Sequence, residues 1–574
     1  GGSVTVTATS AQDATKTGTA TVTVTPVVVG LTPAQAELDR GGSQNFTATV
    51  TGTTQTGLTW SASCGTVDGT SASVSYTAPI IAGPCTVTAT SVLDPTKSAS
   101  ATATVRPDWV VTTANDLDDG ACPPSHCSLR EAIMGVNSAA PAPPASASVG
   151  ARAAAAEGGA VIRLPNNLPG GEITLTPALP PLSASVSIEG PGATQLTINA
   201  NGSPGSPRRV FRITGGATVS ITGLRLTGGV AAGGGGIAVD GGSQLTLTDS
   251  RIDRNQSTTG GGGGIQVQDE SHVQLEDVRI TDNWTSGANS PGGGLSVVTG
   301  ASATMRNGVI SGNSVSSGWG GGIRVFNGTL TLIDVTVEDN ETTGNSGGGL
   351  LAEGVGSVTV TGGSFFNNST TVEGGAMRIT GRAMAVSITG TVIASNRAVR
   401  GGGITVSNDP AAQLTGSPSA TLTNVTIEEN VSSARGGGIF LWGSAEVDIT
   451  NGTIRNNRSE GEFGGGGIQM QNTSVLRTDG TTIVGNRTQG SQVHGGGVYA
   501  ASGSRLQMKG GAISDNRVAN GFGGGLYTFG STVALENVTI ANNEATAAGA
   551  GGGIAVLDGA TMTVTGGAIE GNRS

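Results

Sequence analysis

Apolar and polar residues alternate along most of the chain in short runs, each bounded by Gly, Asn, Asp or Pro. From residue 233 the alternation becomes periodic. A Gly-rich run followed by one apolar residue recurs twelve times, at Ile237, Ile265, Leu295, Ile323, Leu350, Met377, Ile404, Ile439, Ile468, Val498, Leu526 and Ile554. The mean spacing is (554 − 237)/11 ≈ 28.8 residues, and the 35 residues from Ile404 to Ile439 form the one long unit. Two further alternating stretches follow each Gly run, as in GGGGIAV, QLTLT and SRIDRN over 233–255. Period-2 patterning signals strands, and a repeat of this length signals a solenoid. Three short strands per repeat, each with one inward apolar row, predict an all-β chain wound as a parallel β-helix. Stacked at about 4.8 Å, twelve such coils make a rod segment of roughly 58 Å.

Every unit also carries an apolar residue, two variable residues and then Asn. These are Asn255, Asn283, Asn313, Asn340, Asn368, Asn396, Asn430, Asn457, Asn486, Asn516, Asn543 and Asn572. A turn between sheets needs a residue with positive φ, which Asn tolerates. Stacked carboxamides also hydrogen-bond along an axis as a ladder. A residue repeated in every coil is therefore assigned a structural role. The Gly runs are read as the tight corner before the first strand, because no Gly-Lys-Ser/Thr follows them as in a phosphate loop. Eight ladder asparagines (Asn255, Asn283, Asn340, Asn368, Asn430, Asn457, Asn486 and Asn572) lie in Asn-x-Ser/Thr triplets. Carboxamides stacked inside a turn accept no sugar, so these triplets are expected to stay bare.

A second repeat precedes the first. TVTATSAQDATKTGTATVTVTP (5–26) matches TVTATSVLDPTKSASATATVRP (86–107) at an offset of 81, with fourteen of 22 positions identical. Residues 27–107 are thus one unit of alternating strands, and 1–26 close the unit before it. Seven or so strands in this length predict a β-sandwich. Four cysteines form two close pairs, Cys64/Cys85 and Cys122/Cys127, while His126, His272 and His494 lie far apart, so zinc-type spacing is absent. Two disulfides in an oxidising compartment are expected. With Trp60, Cys64 and Cys85, the unit resembles the bacterial Ig-like (Big) domain; Trp60 is read as core packing.

The paired GG[GA][I/L/V/M] and apolar-x-x-Asn motifs of 233–574 resemble the repeats of polymorphic outer-membrane proteins, exported adhesins with a right-handed β-helix passenger. CSLREAI (127–133) resembles the CSLREA segment that begins many bacterial β-helix surface proteins. That resemblance implies a cap and first coils over 108–232. Ser128 to Glu131 form a capping box opening a short helix, and Leu129, Ile133 and Val136 give it an apolar stripe. Such a helix is suited to closing the open end of the first coil, with a Cys122–Cys127 bridge pinning it. The Ala/Pro-rich stretch 138–157 reads as a surface loop.

Composition narrows the function. Charged residues are only 12%, aromatics 3% and the net charge −11, with no Lys/Arg cluster. That balance argues against nucleic acid and anionic membrane as partners. No apolar run reaches a membrane-spanning length. The 98 glycines follow no Gly-x-y period, which excludes collagen. The acidic pairs Glu276/Asp277, Glu338/Asp339 and Glu428/Glu429 fall in coils 2, 4 and 7, not on neighbours, and only 408–418 is long enough to wall a cleft. Catalysis is therefore not expected and no cofactor is called for. Asp116, Asp118 and Asp119 ahead of Gly120 are a candidate Ca²⁺ site. Trp319, Phe463, His494 and Phe522 each precede a Gly run. The last three, in consecutive coils, should stack on one corner, either shielding it or offering a platform for sugar rings.

The expected protein is a non-enzymatic extracellular or cell-surface rod on Ig-like spacers, adhesive or structural, contacting other copies of itself or host-cell and matrix glycans and proteins. Its rivals are a glycan-binding module on the aromatic corner and a polysaccharide lyase or glycoside hydrolase on the β-helix. The Gly-Gly start, the partial sandwich over 1–26 and the regular last unit make a longer polypeptide, or a filament of subunits, the expectation for the ends.

Overall fold

Alternation and turn residues produce strands almost throughout the computed structural model, whose one α-helix among the described residues spans Leu129–Ala139. The structure describes the chain except residues 1, 39, 80–81, 106–107, 121, 124, 140–159, 289, 409–416, 462, 492 and 548–550. The loop expected over 138–157 thus lies outside the described residues, save 138–139, which end the helix. The chain divides into two compact units: 1–113 with 117–141 and 158–165, and 114–116 with 142–157 and 166–574.

In the first unit, Gly2–Thr9 and Thr17–Val24 form an antiparallel hairpin with exposed side chains. The sandwich over 27–107 has two four-stranded sheets. One orders Gln35–Leu38, Ser98–Val105, Gly83–Ser91 and Leu58–Ala62; the other orders Val28–Thr32, Ser43–Thr51, Ser73–Thr77 and Thr66–Asp68. Alternate residues point inward, so Phe46, Val74, Tyr76, Val87 and Ala103 fill the space between them. Trp60 packs against this core as expected and donates its indole N–H to Ser71 O at 3.0 Å. Cys64 and Cys85 are bonded, as are Cys122 and Cys127. The first bridge closes 21 residues of chain. Its removal by Cys64→Ser with Cys85→Ser is expected to lower sandwich stability by about 3 kcal/mol on the chain-entropy model, measured as a fall in the urea midpoint. A reduced sandwich as stable as the oxidised one would exclude that contribution.

The capping box forms as read. Glu131 N–H donates to Ser128 Oγ (3.1 Å) and Ser128 N–H to Glu131 Oε2 (2.7 Å). Leu129, Ile133 and Val136 are buried, and the helix packs on the strand Ala160–Arg163. Gly135 is required here, because a Cβ at that position would overlap the Trp109 ring.

The second unit is the solenoid. Most coils carry four strands rather than the three expected, as in Ile265–Val267, His272–Glu276, Arg279–Thr281 and Trp284–Thr285; in two coils the first and second run on as one strand, Leu350–Thr361 and Met377–Thr389. Every strand pairs in parallel with its counterpart one coil on: Ile265 with Leu295, Val273 with Ala303, Ile280 with Ile310, Thr285 with Val315. In ten of its twelve members the fourth strand is two residues long, too short to register as alternation; its second residue is buried and small, as at Ser257, Thr342, Ser459 and Ala545. The sheet built from third strands has fifteen members, hence 15 − 1 = 14 turns. Inward Ile, Leu, Val and Met rows stack into one continuous core.

The turns differ from expectation in one respect. The ladder Asn does not itself take positive φ; the residue before it does, as at Arg254 (54°), Glu429 (55°) and Asp515 (54°). A second left-handed position joins the second and third strands. Asp249, Asp277, Asn307, Asp334, Gly362, Gly390, Asn424, Asn451, Gly480, Gly510, Asn537 and Gly566 fill it, with φ between 44° and 69°. All twelve are Asp, Asn or Gly, the residues that adopt this conformation most readily.

Candidate functional site

The asparagines form the predicted ladder inside the wall of the coil. Asn430 shows the pattern. Its backbone N–H and its Nδ2 both donate to Asn457 Oδ1 (3.0 and 2.9 Å), and Nδ2 also donates to Ile393 O at 2.9 Å. Its own Oδ1 accepts from Asn396 N and Nδ2 at 3.0 and 2.9 Å. Asn255 to Asn543 are fully buried and Asn572 is half-buried. Glycopeptide mapping of the native protein should accordingly find the eight ladder triplets unmodified; sugar on several of them would mean that the turn opens.

The aromatic corner is only partly as expected. His494 and Phe522 stack at 5.4 Å between centroids, but the stack is completed by Tyr527 at 4.4 Å and Tyr499, which itself lies 5.1 Å from Tyr527. Tyr499 and Tyr527 sit at the second position of the first strand, in register with each other. The sequence reading missed them because it followed the residues before each Gly run, not those after. Phe463 does not continue this stack: the Arg435 guanidinium covers its ring at 4.8 Å, and the ring remains 44% exposed. Trp319 is half-buried in a more distant coil.

Burial lowers the pKa of His494, whose Nδ1 accepts the Phe522 N–H at 3.2 Å. The neutral imidazole is thus the folded form. Its unfolded counterpart takes up a proton near 6.5, so the unfolded state binds more protons in acid and stability falls as the pH is lowered. The contribution of neutral His494 is complete above about 6.5 and is lost below it. The melting temperature of the β-helix should drop across that range, and His494→Gln should remove this part of the drop; an unchanged profile in the variant would rule the residue out.

A shallow open groove of about 510 Å³ runs over the outward face of the second strands between Asp448 and Thr565. Arg477 Nη1 lies 3.3 Å from both Glu446 Oε2 and Asp448 Oδ1. Asp479, Lys509 and Glu536 line up in register on successive coils. Charged residues of both signs thus stack on neighbouring coils here, a column that the reading of the acidic pairs did not cover. The signal was the replacement of outward Thr331, Thr359, Ser387 and Thr421 by Asp448, Arg477 and Gln507 at the same strand position. The pairs singled out instead have turn roles, since Asp277, Asp339 and Glu429 occupy left-handed positions. Of 408–418, residues 409–416 lie outside the described residues.

The three aspartates proposed for Ca²⁺ have separate tasks. Asp116 Oδ2 accepts the Thr176 N–H at 2.6 Å, Asp118 Oδ1 accepts the Gly120 N–H at 3.2 Å, and Asp119 Oδ2 lies 3.3 Å from His126 Nδ1. Among the described residues, the group close enough to share an ion is Asp119, His126 and Glu131. Both Glu131 oxygens already accept backbone N–H groups, from Asp119 and Ser128.

No helix among the described residues is long and apolar enough to cross a membrane. No curated protein and no solved structure matches the chain. The family described as right handed beta helix region matches over 194–417 and 375–569, together 569 − 194 + 1 = 376 of 574 residues. With about two thirds of its length so matched, and with the stacked coils and parallel register described above, the chain belongs to the right-handed β-helix family.

Proposed function

We propose that this chain is a non-enzymatic, exported surface rod that serves as a structural and adhesive element, contacting host-cell or matrix glycans and proteins or other copies of itself in a filament. The observation that carries the reading is the ladder, which repeats one closed coil twelve times with short turns and few charges facing out. Such a body resists unfolding and proteolysis in the medium, and the two disulfides suit an oxidising compartment. Binding of the full chain to a glycan array and to matrix proteins, without turnover, is the expected result. A second reading, a polysaccharide lyase or hydrolase, is favoured by the groove with Asp479, Lys509 and Glu536. Product release from a polysaccharide panel, abolished by Asp479→Asn, would establish that reading and displace the first.

A further inference from the structure

We propose that Arg435, stacked on Phe463 beside Arg400, binds the carboxylate of an acidic sugar, so that this corner is a receptor for uronate-bearing glycans. The proposal rests on the glycan-adhesive reading above and names the ligand class. Three guanidinium groups meet at this corner. Glu373 answers two of them, with Oε2 at 3.3 Å from Arg378 Nε and Oε1 at 3.0 Å from Arg400 Nε. Arg435 pairs in register with Arg400 and so sits beside a like charge. Its hydrogen-bonding partner is the neutral Gln471, through Nη1 and Oε1 at 3.3 Å, the long end of the hydrogen-bond range. Among the described residues, no carboxylate lies within 4.0 Å of it. Burial, and then the Arg400 charge, lower its pKa.

A half-buried guanidinium with no carboxylate beside it among the described residues gains from the arrival of one. The planar fork of an arginine suits a carboxylate, which it binds through two parallel hydrogen bonds. Phe463 adds the second recognition element. One face of its ring supports the guanidinium, and its exposed remainder offers an apolar surface to the C–H face of a pyranose. Carboxylate and ring together select a uronic acid over a neutral hexose.

The test uses the full chain and three probes: an oligogalacturonate, the same oligomer with its carboxyls reduced, and a sulfated neutral oligosaccharide, titrated by calorimetry. The oligogalacturonate should bind, about tenfold or more tighter than its reduced form, and the affinity should fall with salt. Arg435→Gln and Phe463→Ala should abolish binding, while Arg435→Lys, which keeps the charge and loses the fork, should weaken it about tenfold. Each variant is compared with the parent in thermal unfolding, so that loss of fold is separated from loss of the site. Equal binding of the reduced oligomer, preference for the sulfated one, or indifference to Arg435→Gln overturns the proposal while leaving glycan adhesion standing. No binding of any probe overturns this proposal and counts against adhesion through glycans as well.

Discussion

Replacing Asn430 by Ala is expected to lower the stability of the β-helix by about 2–5 kcal/mol, since it strands more than one buried polar group at about 1–3 kcal/mol each. The substitution removes the acceptor of the Asn396 N–H and Nδ2, and the side-chain donor to Ile393 O and Asn457 Oδ1. Water cannot replace them where both neighbouring carboxamides are fully buried. Asn430→Asp should be worse at neutral pH, because it adds a charge and removes both side-chain donors. Acid should partly restore it, as the protonated carboxyl regains one donor. The urea midpoint gives the magnitude, and hydrogen exchange at the Asn396 amide localises it. If Asn430→Ala leaves both unchanged, the ladder does not hold the coils together.

The second large effect concerns the Gly runs. The residue two places before each inward apolar residue is Gly in all twelve repeats, from Gly235 to Gly552. A Cβ there would overlap the backbone of the adjacent chain, at Gly437 against Gly466 O and Arg458 C. The next position is less confined: a Cβ at Gly438 would stand 2.7 Å from Gly467 O and 3.1 Å from the Asn457 carboxamide. Ala376 already occupies the equivalent place in its own coil and is fully buried. Gly437→Ala is therefore expected to cost about 3 kcal/mol by overpacking against backbone, and Gly438→Ala about 1 kcal/mol or less. Equal losses in the two variants would show that backbone conformation, not the approach of neighbouring coils, selects glycine here.

The repeat and its strands were legible because a solenoid writes the same physical demand many times. Twelve asparagines in phase mark a buried polar ladder, and alternating Thr and Leu in QLTLT mark one inward and one outward row. The capping box at Ser128 and Glu131 was equally readable, being a local device. What the sequence hid were features that arise between coils. The fourth strand, two residues long in most coils, carries no period. The left-handed role of Arg254 or Glu429 is imposed by the turn on residues with little preference for it. Tyr499 and Tyr527 meet His494 because the coil folds its loop over the first strand, and Arg435 finds Phe463 because successive units place them one above the other. The charged groove was missed for the same reason, since Asp479, Lys509 and Glu536 are thirty or so residues apart in the chain.

The ladder also has a direction. In each of its eleven links the donor belongs to the earlier coil and the acceptor oxygen to the later one. The carboxamide dipoles therefore lie head to tail along the axis, and each polarises the next. A coil emerging from the ribosome keeps an unanswered Asn N–H until its successor arrives. Winding is thus coupled to delivery. Each new turn completes the one before it and leaves a fresh pair of donors at the growing edge, so the order of synthesis is also the order in which these hydrogen bonds become available.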